Sequence, residues 1–236
     1  MAVESDTDLP LMISPGVLPD HILKPLAEAG VDWYACYQET HAISHFRRLR
    51  CGQSFKKRLA AKRFAKDNGM LVEEGILLGA GETFDDILNS LYYMKHEGID
   101  QVRAMSFVPS RGVTMDRVSQ HYPLQEHLTI AVMRLLMPDR LIPASLDVGG
   151  LQGLSARLDA GANVVTSIVP QGKGLAGVAN KSLDIEEARR SMEKIVPVIN
   201  ACGLEVASQT TYEEWLESRR LPASKLYAPL DLTECA

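Results

Sequence analysis

Apolar residues fall along this chain in short, nearly continuous blocks, separated by longer stretches where they recur every three or four positions. The blocks are Leu9–Ser14 (LPLMIS), Trp33–Glu39 (WYACYQE), Leu71–Gly79 (LVEEGILLG), Gln101–Pro109 (QVRAMSFVP), Leu141–Val148 (LIPASLDV) and Asn163–Val169 (NVVTSIV). Blocks of this length without clean alternation suit strands buried on both faces, as in a parallel sheet. The stretches between them carry helix boundaries. Ser54 precedes FKKRLAAKRFAKDN and Gly69 follows it, and Thr83 with Asp86 three residues on forms a capping-box pattern closed by Gly98. Pro123 suits the first turn of a helix running to Met137, and Asp184 with Glu187 opens another that ends at Gly203, with Pro197 as a kink or early break.

Six strand–helix units in series predict an α/β fold: a partial (β/α)6 portion of a parallel TIM-type barrel, with right-handed crossovers and helices outside. A complete barrel has eight units and about 250 residues. The first strand begins almost at Met1, so the chain is expected to be two units short. We assign residues 1–225 to the barrel and 226–236 to a C-terminal tail.

Composition narrows the function classes. Of 236 residues 46% are hydrophobic and 23% charged, and 30 acidic against 25 basic side chains leave a net charge of −5. No basic block suggests a nucleic-acid partner. No apolar run nears the roughly 18 residues of a membrane span, and the acidic start MAVESDTDLP is unlike a secretory signal. Cys36, Cys51, Cys202 and Cys235 have no disulfide-framework spacing, which fits a reducing cytoplasm.

In parallel barrels chemistry gathers at the C-terminal ends of the strands. That rule selects Glu39, the segment GILLGAGE from Gly75 to Glu82, Arg103, Ser145 with Asp147, and Thr166 with Ser167. Ser145 and Asp147 are two apart and face one side. An arginine within a barrel strand needs a partner. For Arg103 that is either Asp147 or the carboxylate of an amino-acid ligand, whose geometry matches the guanidinium fork. Glu39 and Asp147 could hold an ammonium group or simply accept from loop amides. The glycines of Gly75–Glu82 permit a sharp turn or close approach to a phosphate, an adenosine or nothing, and no Walker lysine follows them. His41 and His45, four apart, lack further ligands and read as surface histidines. Cys36 and Cys51 are too far apart for a zinc knuckle. PQGKGLAGVAN (Pro170–Asn180), with Lys173, reads as a rim loop, and Met133–Met137 as core.

Taken together, YQET (Tyr37–Thr40), LRCGQSF with Arg58, and GILLGAGE resemble the biotin-synthase-like branch of radical S-adenosylmethionine enzymes. The resemblance implies that Gly75, Leu77, Gly79 and Glu82 help seat the adenine of S-adenosylmethionine. It implies that Glu39 and Arg58 contact its methionine part. Within that branch, LMISPGV, VRAMSFVPSRGV, RLIPASLDVGGL and GANVVTSIVPQGKGLAGVAN resemble the methylornithine synthases of pyrrolysine biosynthesis. This implies a grip on an amino acid by Arg103, Ser145 and Asp147. The implied reaction is isomerisation of L-lysine to 3-methyl-D-ornithine with S-adenosylmethionine and a [4Fe-4S] cluster.

The chain departs from that family in its cysteines. The family's CxxxCxxC loop has no counterpart, since no two cysteines are closer than the fifteen positions separating Cys36 and Cys51, and thiolates hold such clusters. We therefore assign no metal ligands and no catalytic residue here, and expect the chain to be inactive alone. One expectation is a truncated or split mutase completed by a missing N-terminal fragment. The others are a non-catalytic amino-acid-binding partial barrel and a phosphate-binding barrel enzyme of another kind.

Overall fold

The computed structural model describes residues 9–108, 123–169 and 190–220. The six apolar blocks form six short strands: β1 (Met12–Ile13), β2 (Trp33–Ala35), β3 (Leu71–Leu78), β4 (Gln101–Ser106), β5 (Pro143–Ser145) and β6 (Val164–Thr166). They pair in parallel as two sheets, in the orders β1-β2-β3-β4 and β5-β6. Each strand leads into one or more helices. β1 is followed by α1 (Asp20–Glu28), and β2 by α2 (Ile43–Leu49) and α3 (Phe55–Asp67). α4 (Phe84–His96) follows β3, and α5 (Pro123–Leu136) follows β4. After β5 comes a 3-10 turn (Gly150–Gly153) and α6 (Leu154–Asp159), and after β6 come α7 (Met192–Ala201) and α8 (Gln209–Arg220). The strand–helix alternation is therefore that of a partial α/β barrel.

The helix starts follow the local chemistry. The Ser54 side chain accepts from Lys57 N at 3.2 Å and caps α3. Thr83 and Asp86 close a reciprocal capping box on α4. Gly69 takes φ +84° just past α3, a left-handed turn that costs a glycine nothing. Pro197 lies inside α7 without ending it, but that helix starts at Met192 after an extended Ser191, not at Asp184 as the sequence suggested; the loop Pro170–Asn180 with Lys173 and the tail lie outside the described residues.

The chain divides into two compact units. The first contains residues 1–76, 82–102 and 210–236; the second contains 77–81 and 103–209. In the first, Trp33, Tyr34, Phe46, Val72, Leu91 and Met94 are fully buried between sheet and helices. Trp215 of α8 stacks on Trp33, with ring centroids 6.0 Å apart, and Arg219 pairs with Asp100 at 2.7 Å. The second unit packs Ile130, Met133, Ile142, Leu146 and Ile195, and Met133 and Met137 are core residues as the sequence suggests. Its buried Glu126 accepts from Arg157 Nε at 2.5 Å and from Ser106, tying α5 to α6 and to the end of β4.

Candidate functional site

Two groups of candidate residues sit past strand ends, one in each unit. In the first unit the chain leaves β2 and is pinned to β3 again by Glu39, whose N–H donates to Gly75 O at 3.0 Å. Glu39 adopts φ +69°. A left-handed backbone costs a non-glycine residue about 1–2 kcal/mol and persists only where surroundings impose it. Its buried carboxylate accepts from Arg50 through Oε1, while Oε2 is buried with no hydrogen-bond partner. Arg58 of α3 is also buried; it donates to Tyr37 O and, at 2.8 Å, to Gln53 Oε1.

Beside these residues lies an open pocket of about 480 Å³. Ser14, Gly16 and Val17 line it from the end of β1, and Ala35, Cys36 and Tyr37 from the end of β2. Arg50, Gln53, Ser54, Lys57 and Arg58 complete it from the approach to α3. Its ionised lining is all cationic, which favours an anionic group such as a carboxylate.

Behind the pocket is a buried polar cluster that the sequence did not announce. Glu74 Oε1 accepts from Gln38 N at 2.5 Å and Gly75 N at 2.9 Å, and its other oxygen meets Lys62. Burial pulls the Lys62 ammonium down to about 7. His41 stacks on Tyr93 at 4.1 Å, with its Nε2 3.7 Å from Glu74. Burial, reinforced by Lys62, holds its ring pKa well below the ordinary range. His45 is buried as well, and burial again lowers its pKa. The surface reading of these two histidines is therefore corrected: His41 packs among Phe55, Tyr93 and the Lys62–Glu74 pair, surroundings supplied by three separate elements.

The glycine-rich segment Gly75–Glu82 runs out of β3 into the α4 cap, with Gly79 at φ +81° and Gly81 at +95°. These angles explain the glycines by a turn that β-carbons would strain. Gly75 and Glu82 belong to the first unit, Leu77 and Gly79 to the second.

In the second unit Ser145 lies opposite Thr166 in the β5–β6 register. Ser145 Oγ donates to Asp147 Oδ2 at 3.2 Å, and Ser167 Oγ donates to the same oxygen at 2.5 Å. Asp147 Oδ1 pairs with Arg190 Nη1 at 2.9 Å. The same-side reading of Ser145 and Asp147 thus agrees with the geometry. Arg103, buried in β4, donates from Nη1 to Thr166 Oγ1 at 3.2 Å. The sequence offered Asp147 as a partner for Arg103, whereas Arg190 is the arginine bonded to Asp147 here. Ser167 takes φ +65° just beyond β6. Among the described residues, Glu39 and Ser167 are the two non-glycine positions with positive φ, and both carry side chains of these polar groups.

Arg50 and Arg190 were not singled out in the sequence, whereas Thr166 and Ser167 were selected by strand position without a specific role. Ser167 had a signal, its place at a strand end. Arg190 had none, because its partner Asp147 lies 43 positions away in the sequence.

The residues fit one implied cofactor and not the other. The cationic pocket with the unpartnered buried atoms Glu39 Oε2 and Arg58 Nε suits the carboxylate and ammonium of a methionyl group. The cysteines do not fit an iron–sulfur cluster. Cys36 is buried, Cys51 exposed and Cys202 intermediate, and with Cys235 they offer no cluster-binding spacing. No set of three metal-binding side chains occurs among the described residues, and no described helix is long and apolar enough to cross a membrane.

No family model matches the chain. Over 211 residues, 89% of the chain, it is 42% identical to 3-methylornithine synthase of Methanosarcina acetivorans, and it spans 60% of that protein's length. The crystal structure of methylornithine synthase superposes with a TM-score of 0.84 at 42% identity, covering 91% of this chain and 64% of that one. Biotin synthase of Heliobacterium modesticaldum is 31% identical over 148 residues, 63% of this chain and 44% of its own length. The chain is thus related to the biotin-synthase-like radical S-adenosylmethionine enzymes. Within them its sequence and fold are similar to methylornithine synthase over nearly all its length.

Proposed function

We propose that this chain supplies the amino-acid pocket, and residues that seat S-adenosylmethionine, of a mutase that isomerises L-lysine to 3-methyl-D-ornithine in pyrrolysine biosynthesis. The observation that carries the reading is the pairing of charges at the β4–β6 ends. Arg103 offers a guanidinium to a carboxylate, and Asp147 offers carboxylate oxygens to an ammonium, as a zwitterion requires. The 42% identity to 3-methylornithine synthase supports L-lysine as the amino acid in this reading.

In this reading Arg103 takes the substrate carboxylate, Asp147 takes an ammonium, and Ser145 orients Asp147. Arg58 takes the carboxylate of the methionyl group and Glu39 its ammonium, with Gly75, Leu77, Gly79 and Glu82 forming the adenine seat. When bound, S-adenosylmethionine is the source of the radical that starts the rearrangement. The protein's part is orientation, charge matching and exclusion of water. No step is assigned to an iron–sulfur cluster, because this chain's cysteines cannot hold one in the family's manner.

A second reading is favoured by the same cysteine spacing: a partial barrel that binds the amino acid without turning it over. One experiment tests both. The purified chain is reconstituted anaerobically with iron and sulfide, and then assayed for cluster absorbance, S-adenosylmethionine cleavage and L-lysine binding. Binding without absorbance or cleavage is expected of the chain alone. Cleavage by the chain alone would defeat the binding-only reading, and absence of L-lysine binding would defeat both.

A further inference from the structure

We propose that Arg190 and Ser167 are positioning residues that hold Asp147 ready for the α-ammonium of an amino-acid ligand, an inference that rests on the reading of Arg103, Ser145 and Asp147 as an amino-acid site. Arg190 is completely buried, whereas the Asp147 side chain is 36% exposed. A buried guanidinium thus anchors a carboxylate that still faces outward. The anchor is specific to one oxygen, since Arg190 Nη1 takes Oδ1 at 2.9 Å while Ser167 and Ser145 hydroxyls share Oδ2 at 2.5 and 3.2 Å. Three donors on two oxygens fix the plane of the carboxylate, and the lone-pair directions left over are those a ligand ammonium must meet.

Geometry also indicates which ammonium is received. Arg103 donates to Thr166, and Ser167, the next residue, donates to Asp147. Thr166 also lies opposite Ser145, the other hydroxyl bonded to Asp147, and paired strands are about 4.8 Å apart. The group that accepts from Arg103 and the group that donates to Asp147 are therefore close neighbours on the ligand. The carboxylate and ammonium of one α-carbon satisfy that condition; the carboxylate and the ε-ammonium of an extended lysine do not. Ser167 reaches Asp147 from a left-handed backbone, φ +65°, which the surrounding structure imposes against the residue's own preference.

The test uses the full chain and calorimetric binding of three probes: L-lysine, L-norleucine, which lacks the ε-ammonium, and 6-aminohexanoate, which lacks the α-ammonium. Arg190→Gln and Ser167→Ala are each expected to weaken L-lysine and L-norleucine roughly tenfold and leave 6-aminohexanoate unchanged. Arg190→Lys should restore part of the loss. Equal weakening of all three probes by both variants would reduce the two residues to a structural role and overturn the inference, as would unchanged binding of L-lysine. Ser167→Ala removes one surface-facing hydroxyl and keeps the test decisive if Arg190→Gln does not fold. Failure of the unsubstituted chain to bind L-lysine would instead overturn the underlying assignment of the site.

Discussion

His41 sits where an ionised ring would be costly, between the Tyr93 ring and the buried Lys62–Glu74 pair. Burial first, and the Lys62 charge second, hold its pKa well below 6.5. The folded protein therefore keeps the ring neutral, and the unfolded chain takes up the proton. Its contribution to stability is complete above pH 6.5 and is lost as pH falls below that value. Between pH 6.5 and 5, urea unfolding should register a loss of at most about 1.4 kcal/mol per pH unit that His41→Phe removes; parallel profiles for the two proteins would exclude this account. Glu74 is coupled to the same cluster. Glu74→Gln removes the carboxylate beside Lys62, drives the lysine's pKa below about 7 and should destabilise the protein, while the double change Glu74→Leu, Lys62→Met should cost less. Both are read from the denaturation midpoint at constant slope.

At the scale of elements, the helix starts marked by Ser54 and Thr83 are found in the structure, whereas α7 starts at Met192 rather than at Asp184. Ser54, Thr83 and Asp86 act through donors within three residues, so their pairing needs no tertiary partner. Thr83→Ala should destabilise the protein by about 1 kcal/mol, with the loss visible as faster amide exchange in the first turn of α4. Unchanged exchange there would mean that tertiary packing alone holds the helix start. Strand ends were less legible. The block Leu141–Val148 is apolar over most of its length, yet only Pro143–Ser145 pairs in register with Val164–Thr166. A strand extends as far as its neighbour offers a ladder, which one segment's pattern does not encode. The same holds for Ser167, which the sequence puts inside β6 and the structure puts one residue beyond it in a left-handed turn.

For the molecule as a whole, relation to methylornithine synthase and the cysteine spacing pull apart binding and turnover. Arg58 lines a cationic pocket, and Glu39 accepts from Arg50 of the same lining. The chain should therefore bind S-adenosylmethionine without iron, and Arg58→Met should weaken that binding about tenfold or more through loss of a charge-assisted contact. Equilibrium dialysis with labelled S-adenosylmethionine reads the change. Equal affinity of Arg58→Met and the unsubstituted chain would remove Arg58 from the site.

The sequence by itself determined the six strand–helix units, the capped helices and the absence of a cluster-binding cysteine pattern. These depend on period, nearest-neighbour chemistry and spacing, all of which are local. It also pointed to Arg103, Ser145 and Asp147, since strand-end position follows from the order of units. Only the tertiary structure decided which charges pair. Arg190 meets Asp147 across 43 positions, and Arg103 meets Thr166 across 63. His41 and His45, polar in any sequence reading, became buried because helices packed over them. Pairing and burial depend on distances between segments remote in sequence, and those distances exist only once the chain has folded.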